Sequence, residues 1–212
     1  MEWIVQLPIL LFSVMIHEIA HGLMALRHGD DTAKRAGRFT LNPVPHIDPF
    51  GTVFLPLLCV ISQLPLMGWA RPVPVNPSRL GGSRRWPMFQ VALVGPVSNL
   101  ALSLAAALLF RSVASMPGFF PQYQKTLLNA LFFAVSINLF LAYFNLIPIH
   151  PLDGGNLLSS LLSPRLRTGY ERHRPYGFLI IMGLALLGFM GPIILGPARW
   201  TLRLLESAGL IW

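Results

Sequence analysis

His17, Glu18 and His21 form the pattern H-E-x-x-H within an apolar run from Trp3 to Leu26. On an α-helix, residues four apart project from the same face, so the two imidazoles can bind one zinc ion. The intervening glutamate can then act on a zinc-bound water. The alternative is a pair of hydrogen-bonded core histidines beside an incidental glutamate. Because polar groups are costly inside a membrane helix, their presence here favours a functional site.

A catalytic zinc site normally needs a third protein ligand and an open fourth position. Of the eight acidic residues, Glu18 already has a proposed role and five lie near the chain ends or in charged connectors, which leaves Asp48 and Asp153. Asp153 lies in the stretch 145–155, where Pro148 and Pro151 interrupt helical backbone. Interrupted backbone at membrane depth is tolerated where it lines an enclosed site. This context favours Asp153 as the third ligand.

The composition argues against an ordinary soluble domain. Of 212 residues, 54% are hydrophobic and 11% are charged, whereas soluble domains carry about 25% charged residues. The single cysteine, Cys59, excludes a disulfide framework and a cysteine-based zinc site. The net charge of +8 arises from short basic clusters between apolar runs, which is typical of cytoplasmic loops and not of a nucleic-acid interface. The expected partner is therefore the lipid bilayer, with no nucleic acid.

The apolar runs predict an all-α polytopic membrane protein with four to six transmembrane or re-entrant helical segments. The runs cover residues 3–26, 50–69, 88–110, 126–149 and 176–198, and a short helix is predicted at 154–162. Turn residues and short β-type stretches at 37–49 predict a small membrane-associated β-hairpin. We expect one membrane-embedded domain over 1–212, with its core at 3–163 and an accessory C-terminal helical segment at 176–212.

Basic residues indicate the orientation of the chain. Most of them lie in the connectors 27–47, 71–87 and 164–175, which the positive-inside rule places in the cytoplasm. The run 50–69 then has two cytoplasmic flanks, so it is predicted to be re-entrant or a tight hairpin. This topology brings Asp153 to the same side of the membrane as the two histidines.

The H-E-x-x-H pattern followed by N-x-x-P-x(4)-D-G-G resembles the site-2 protease family of intramembrane zinc metalloproteases. Three further stretches resemble short bacterial members without a PDZ domain: LNPVPHIDPFGT (41–52), GWARPVPVNP (68–77) and ALVGPVSNL (92–100). The resemblance implies peptide-bond hydrolysis within the transmembrane segment of a membrane-protein substrate. It also implies a multi-pass protein of the bacterial plasma membrane, with the active site toward the cytoplasm.

By the family's motifs, one Zn²⁺ ion would be held by His17, His21 and Asp153. Glu18 would be the catalytic base, and Asn145 would stabilise the oxyanion or hold the substrate. Two other functions stay open, namely a zinc-binding membrane regulator without turnover and a metal transporter with ligands inside the bilayer.

Other polar residues have a structural and a functional interpretation. His150 could support or join the metal site, whereas His46 and Asp48 are expected to anchor a turn by hydrogen bonds and not to bind metal. Asn99 and Asn138 are expected to join helices by hydrogen bonds. The last apolar run could be a lateral gate, a packing helix or a dimer contact, so a homo-oligomer also stays open.

Overall fold

The structure is a computed structural model, and it describes residues 3–62, 70–82, 85–116, 118 and 121–212. Within these ranges the chain forms helices and turns, with no β-strand. The α-helices are α1 (Trp3–Arg27), α2 (Thr32–Arg35), α3 (Leu55–Ile61), α4 (Arg85–Ala114), α5 (Pro121–Asn145), α6 (Asp153–Leu161), α7 (Pro164–Glu171), α8 (Gly177–Leu186) and α9 (Met190–Ser207). A π-helix (Pro49–Phe54) precedes α3, and 3-10 turns lie at Val44–His46 and Arg174–Tyr176.

Three helices are long and apolar enough to cross a membrane. They are α1, α4 and α5, with 25, 30 and 25 residues and mean hydropathies of 1.8, 1.9 and 2.0. At 1.5 Å per residue, each exceeds the ~30 Å hydrocarbon layer. The stretch 164–186 and α9 qualify as a further span only together, and they are bent by 78° at the break between them. The prediction of helical segments able to span a membrane is confirmed, with three to four candidate spans among the described residues, whereas the sequence predicts four to six transmembrane or re-entrant segments.

Helix α4 lies at the centre of the bundle and packs against α1, α5 and α6, while α5 also packs against α9. The main apolar core joins α4, α5, α9 and the C-terminal residues, and consists of Ala106, Ala107, Phe110, Val135, Leu139, Ala198 and Ile211. Alanine on α4 lets neighbouring backbones approach closely, which supports helix packing where lipid removes most of the hydrophobic driving force.

Contacts between the basic connectors define one end of the molecule. Arg79 pairs with Asp31 at 2.9 Å, which links the connector after α1 to the one before α4. Arg85, the first residue of α4, donates to the carbonyl oxygens of Ser160 (3.2 Å) and Leu162 (2.8 Å) at the end of α6. The C-terminal end of α1, the N-terminal end of α4 and the helix α6 therefore lie at the same end.

The run 50–69 leaves and returns at one place. The backbone N–H of Arg71 donates to the carbonyl of His46 at 2.8 Å, so the chain between them begins and ends together. Within it, Pro49–Cys59 forms a short apolar helical segment, which fits the predicted re-entrant arrangement better than a simple crossing. The remainder of the run, residues 63–69, lies outside the described part of the chain, as do the first two residues of the stretch 68–77.

The prediction of a β-hairpin at 37–49 is wrong, since no residue of this stretch forms a strand. Prolines at 43, 45 and 49 have no N–H to donate to a partner strand. Local hydrogen bonds close turns instead: the side chain of Asn42 accepts from Val44 N–H at 3.1 Å, and His46 N–H donates to the carbonyl of Pro43 at 2.8 Å. Turn chemistry therefore dominates the short β-type stretches.

Replacing Leu139 with alanine tests the packing of α5 on α4. Leu139 is 1% exposed in the main core, so the substitution leaves a cavity and is expected to cost about 2–5 kcal/mol of stability. The measurement is reversible unfolding of the detergent-solubilised protein. Leu127→Ala on the same helix is the control, because Leu127 is 41% exposed. Equal destabilisation by the two variants would contradict the assigned core.

Candidate metal centre

Helix α1 places His17 and His21 one turn apart, as their spacing predicts. Both residues are buried, and their Nε2 atoms lie 3.0 Å apart. The rings meet edge to face at a centroid distance of 4.6 Å and an interplanar angle of 83°. The two side chains therefore point at one common position.

Asp153 lies at the same position, although it is more than 130 residues away from the histidines in the sequence. It is the first residue of α6, directly after the irregular turn 146–152. Its Oδ2 atom lies 3.1 Å from His17 Nε2 and 3.2 Å from His21 Nε2. Buried Asp153 Oδ2 has no hydrogen-bond partner among the described residues, so the two imidazole nitrogens are its polar neighbours. The structure thus brings together the three residues that the sequence predicts as metal ligands.

The hydrogen bonds of the imidazoles fix which nitrogen faces the centre. His17 Nδ1 lies 2.6 Å from Asn99 Oδ1, and His21 Nδ1 lies 2.6 Å from the carbonyl of Val91. Because both oxygens are acceptors, each Nδ1 carries the proton and each Nε2 presents a lone pair. Such contacts to the outer nitrogen are the usual support of metal-binding histidine.

The donor set fits a zinc ion. Two imidazole lone pairs and a carboxylate oxygen, 3.0–3.2 Å apart, repel one another unless a cation lies among them. Tetrahedral bonds of about 2.0–2.1 Å separate ligand atoms by about 3.3 Å, which matches this triangle. Among the described residues, His17, His21 and Asp153 are also the one group of three potential ligands close enough to hold a metal ion.

Gly95 lets α4 approach the two imidazoles. A Cβ atom built at this position would lie 2.5 Å from His21 Cε1 and 2.7 Å from His17 Cε1. Any larger residue would therefore push the rings away from the metal position. Gly95 lies in the family-like stretch 92–100, but its place in the sequence does not indicate this contact with the two histidines.

A polar network behind His17 crosses three helices. Asn99 on α4 donates through Nδ2 to Asn138 Oδ1 on α5 at 2.8 Å. Asn138 Nδ2 in turn donates to Ser13 Oγ on α1 at 2.9 Å. All three residues are buried. The expectation of interhelical hydrogen bonds is confirmed, but the role of Asn99 in orienting His17 was missed, since sequence spacing does not reveal which distant side chain it meets.

Two glycines explain why D-G-G opens α6. A Cβ at Gly154 would overlap the carbonyls of Leu146 and Ile147, and one at Gly155 would lie 2.7 Å from His150 N. The turn 146–152 therefore folds directly onto the first turn of α6. The predicted short helix is present within one residue of its expected bounds.

Glu18 is held beside the two histidines by an irregular segment of the chain. It is partly buried on α1, and its Oε2 atom accepts a hydrogen bond from the backbone N–H of Val73 at 2.6 Å. This contact gives the carboxylate a defined position next to His17.

The segment that holds Glu18 is itself anchored at two points. The N–H of Asn76 donates to Oδ2 of the buried Asp30 at 2.6 Å. The buried guanidinium of Arg38 donates to the carbonyl of Pro72 at 2.8 Å. Asp30 is one of the acidic residues in the charged connectors, and nothing in local spacing indicates its partner 46 residues away.

Asn145 lies at the C-terminal end of α5 and is not part of the triangle. Its Nδ2 atom donates to the carbonyl of Leu141 in its own helix at 2.9 Å. His150 is buried within the turn 146–152, with its Nε2 atom unpaired among the described residues. Burial, followed by the charges of Arg174 and His173, lowers the pKa of His150 below its ordinary value.

His46 and Asp48 anchor turns, as the structural interpretation predicts. His46 Nε2 lies 3.0 Å from the carbonyl of Thr40. Asp48 accepts hydrogen bonds from the N–H groups of Phe50 (3.1 Å) and Gly51 (2.7 Å) at the start of the π-helix.

Replacing Asn99 with leucine tests the support of His17. The variant loses the acceptor at His17 Nδ1, which is expected to weaken zinc affinity about 10–100-fold. Competition with a chromophoric chelator gives this affinity. Ser112→Ala, at an exposed position on the same helix, is the control. Unchanged affinity in Asn99→Leu would show that the hydrogen bond does not support the site.

Comparison with known proteins gives one family. The model of peptidase family M50 matches residues 111–188. Putative zinc metalloprotease YwhC of Bacillus subtilis is 37% identical over 192 residues, which cover 89% of this chain and 82% of that protein.

More distant relatives carry the same kind of name. Putative zinc metalloprotease Rip2 of Mycolicibacterium smegmatis is 28% identical, over 82% of this chain and 63% of that protein. Putative zinc metalloprotease sll0528 of Synechocystis is 32% identical, over 98% of this chain and 47% of that protein. No solved structure matches the chain. The similarity to YwhC across most of both chains, together with the family match, shows that this chain belongs to peptidase family M50, the site-2 protease family, whose cofactor is zinc.

Proposed function

We propose that this protein is an intramembrane zinc endopeptidase that cleaves peptide bonds within the transmembrane segments of membrane-protein substrates. The observation that carries the proposal is the triangle of His17, His21 and Asp153, with atoms 3.0–3.2 Å apart, formed partly by a candidate membrane span. Because the three residues and Glu18 belong to one chain, we propose that a single chain is the catalytic unit. We also propose that this chain forms one domain.

His17, His21 and Asp153 are the proposed ligands of one zinc ion. When bound, zinc acidifies a coordinated water and polarises a carbonyl group. The lone pairs on both Nε2 atoms and on Asp153 Oδ2 supply three ligands, which leaves a fourth position for chemistry. His17 and His21 are buried, and a less polar surrounding strengthens their electrostatic interactions.

Glu18 is the proposed general base and acid. Its carboxylate would accept a proton from the attacking water as the new C–O bond forms. It would then pass this proton to the amine nitrogen as the C–N bond breaks. Val73 N–H holds Oε2 in place at 2.6 Å and leaves the other oxygen of Glu18 to take the proton.

Asn145 is proposed to donate a hydrogen bond to the oxyanion or to the substrate backbone. Support comes from its place at the end of α5, where the chain turns toward Asp153. Its amide donates to Leu141, so substrate binding would require the side chain to turn away from its own helix.

We place the metal centre toward the cytoplasmic side of a bacterial plasma membrane. The contacts of Arg79 and Arg85 gather basic connectors at one end of the bundle, and the positive-inside rule assigns that end to the cytoplasm. His17 and His21 lie in the half of α1 nearer this end. The curated relatives that carry zinc metalloprotease names come from bacteria.

Replacing Glu18 with glutamine tests the proposed reaction. Co-expression or reconstitution with tagged single-span membrane proteins would show cleavage by the native protein. Loss of the base is expected to lower the cleavage rate by about 10²–10⁴-fold, while the bound zinc stays at the native level. Immunoblotting of the fragments and metal analysis of the same samples give both quantities.

Glu206→Gln is the matched control, because Glu206 is exposed on α9. Cleavage by Glu18→Gln at the native rate would contradict the proposed base. Zinc bound by both proteins, with no cleavage by the native chain, would favour a regulator without turnover. Zinc flux in liposomes would favour a transporter.

A further inference from the structure

We propose that residues 170–177, here called the C-terminal clamp, position Asp153 for metal binding. They do so by contacting the turn 146–152 and restricting its movement. The inference rests on the proposed role of Asp153 as a ligand. It assigns a function to a part of the chain beyond the core expected at 3–163.

The turn that carries Asp153 has little support of its own. Pro148 and Pro151 have no N–H, and the few hydrogen bonds within the turn, such as Ile149 N–H to the carbonyl of Ile147 at 2.7 Å, span only two or three residues. Metal ligands need to be held to within about 0.5 Å of their binding geometry. External contacts must therefore fix the turn.

Two hydrogen bonds join the clamp to the turn. The hydroxyl of Tyr170 donates to the carbonyl of Pro148 at 2.7 Å. The backbone N–H of His150 donates to His173 Nε2 at 3.3 Å. Because His173 Nδ1 donates to the carbonyl of Tyr170 at 2.5 Å, the Nε2 atom keeps the lone pair that this second contact requires.

Close packing adds a third contact between the clamp and the turn. A Cβ atom at Gly177 would overlap the carbonyl oxygen of His150, so the start of α8 lies directly on the turn. The buried ring of His150 also stacks on His173 at a centroid distance of 5.5 Å and an angle of 26°. His150 precedes Asp153 by three residues, so a shift of this backbone would move the carboxylate.

A further bond ties the clamp to the helix that Asp153 begins. Ser159 Oγ on α6 donates to Glu171 Oε1 at 2.7 Å, and Arg167 donates to the same oxygen at 2.7 Å. The clamp therefore contacts both the turn before Asp153 and the helix after it. Together these contacts leave the carboxylate little freedom to move relative to the imidazoles of α1.

The sharpest test compares two glycines of α8. Gly177→Ala places a methyl group against the His150 carbonyl, whereas Gly183→Ala places one in open space. Gly177→Ala is expected to weaken zinc affinity at least 10-fold and to change the visible spectrum of the Co²⁺-substituted protein, which reports ligand geometry. Hydrogen exchange of amides 146–153 in the metal-free protein is expected to rise. Gly183→Ala is expected to match the native protein in all three measurements.

Milder variants keep the test valid if Gly177→Ala does not fold. Tyr170→Phe removes only the hydroxyl and is expected to raise exchange in the turn, with Tyr123→Phe, at an exposed position on α5 outside the clamp, as its control. His173→Leu is expected to weaken zinc binding, and His173→Gln, which can still accept the His150 N–H, to restore part of it.

Asp153→Ala distinguishes a failure of the clamp proposal from a failure of the proposed metal centre on which it rests. If Asp153→Ala lowers zinc affinity while the clamp variants leave affinity and exchange unchanged, the clamp is overturned and the metal centre stands. If Asp153→Ala has no effect on zinc affinity, the proposed ligand set is itself wrong and the clamp falls with it.

Discussion

The convergence of three lone-pair-bearing atoms inside an apolar bundle is the constraint on which the rest of the structure depends. Two Nε2 atoms and one carboxylate oxygen lie 3.0–3.2 Å apart. In a low-dielectric environment this arrangement needs positive charge among the three atoms, which a bound metal ion would supply. The surrounding structure therefore has to supply acceptors for both Nδ1 protons, space for the two imidazole rings, and rigid support for the carboxylate of Asp153.

Helix α4 meets the first two requirements. It offers the Asn99 side chain and the Val91 carbonyl to the imidazoles, and the missing side chain of Gly95 leaves room for the rings. The third requirement, a rigid position for the Asp153 carboxylate, is met by a later part of the chain. The turn 146–152 carries Asp153 to the histidines, and the proposed clamp at 170–177 holds that turn. A metal centre of three ligands thus depends on contacts from most of the bundle.

The sequence predicts those features that depend on local pattern. Three features can be recognised within a short stretch of sequence: the four-residue spacing of His17 and His21, the apolar runs of α1, α4 and α5, and the proline-interrupted stretch before Asp153. Contacts between residues far apart in the chain cannot be recognised in this way. The contacts of Asn99 with His17, of Asp30 with Asn76 and of Gly177 with His150 depend on how helices pack. The β-hairpin prediction failed at 37–49 because prolines and side-chain hydrogen bonds favour turns over strand pairing.

Zinc K-edge X-ray absorption on the purified protein, with metal analysis of the same sample, tests the central claim most directly. The account predicts one zinc per chain, with two imidazole nitrogens and one carboxylate oxygen at about 2.0–2.1 Å. It also predicts that Asp153→Ala loses the carboxylate oxygen from the spectrum. A zinc ion without imidazole ligands, or an identical spectrum in Asp153→Ala, would contradict the account.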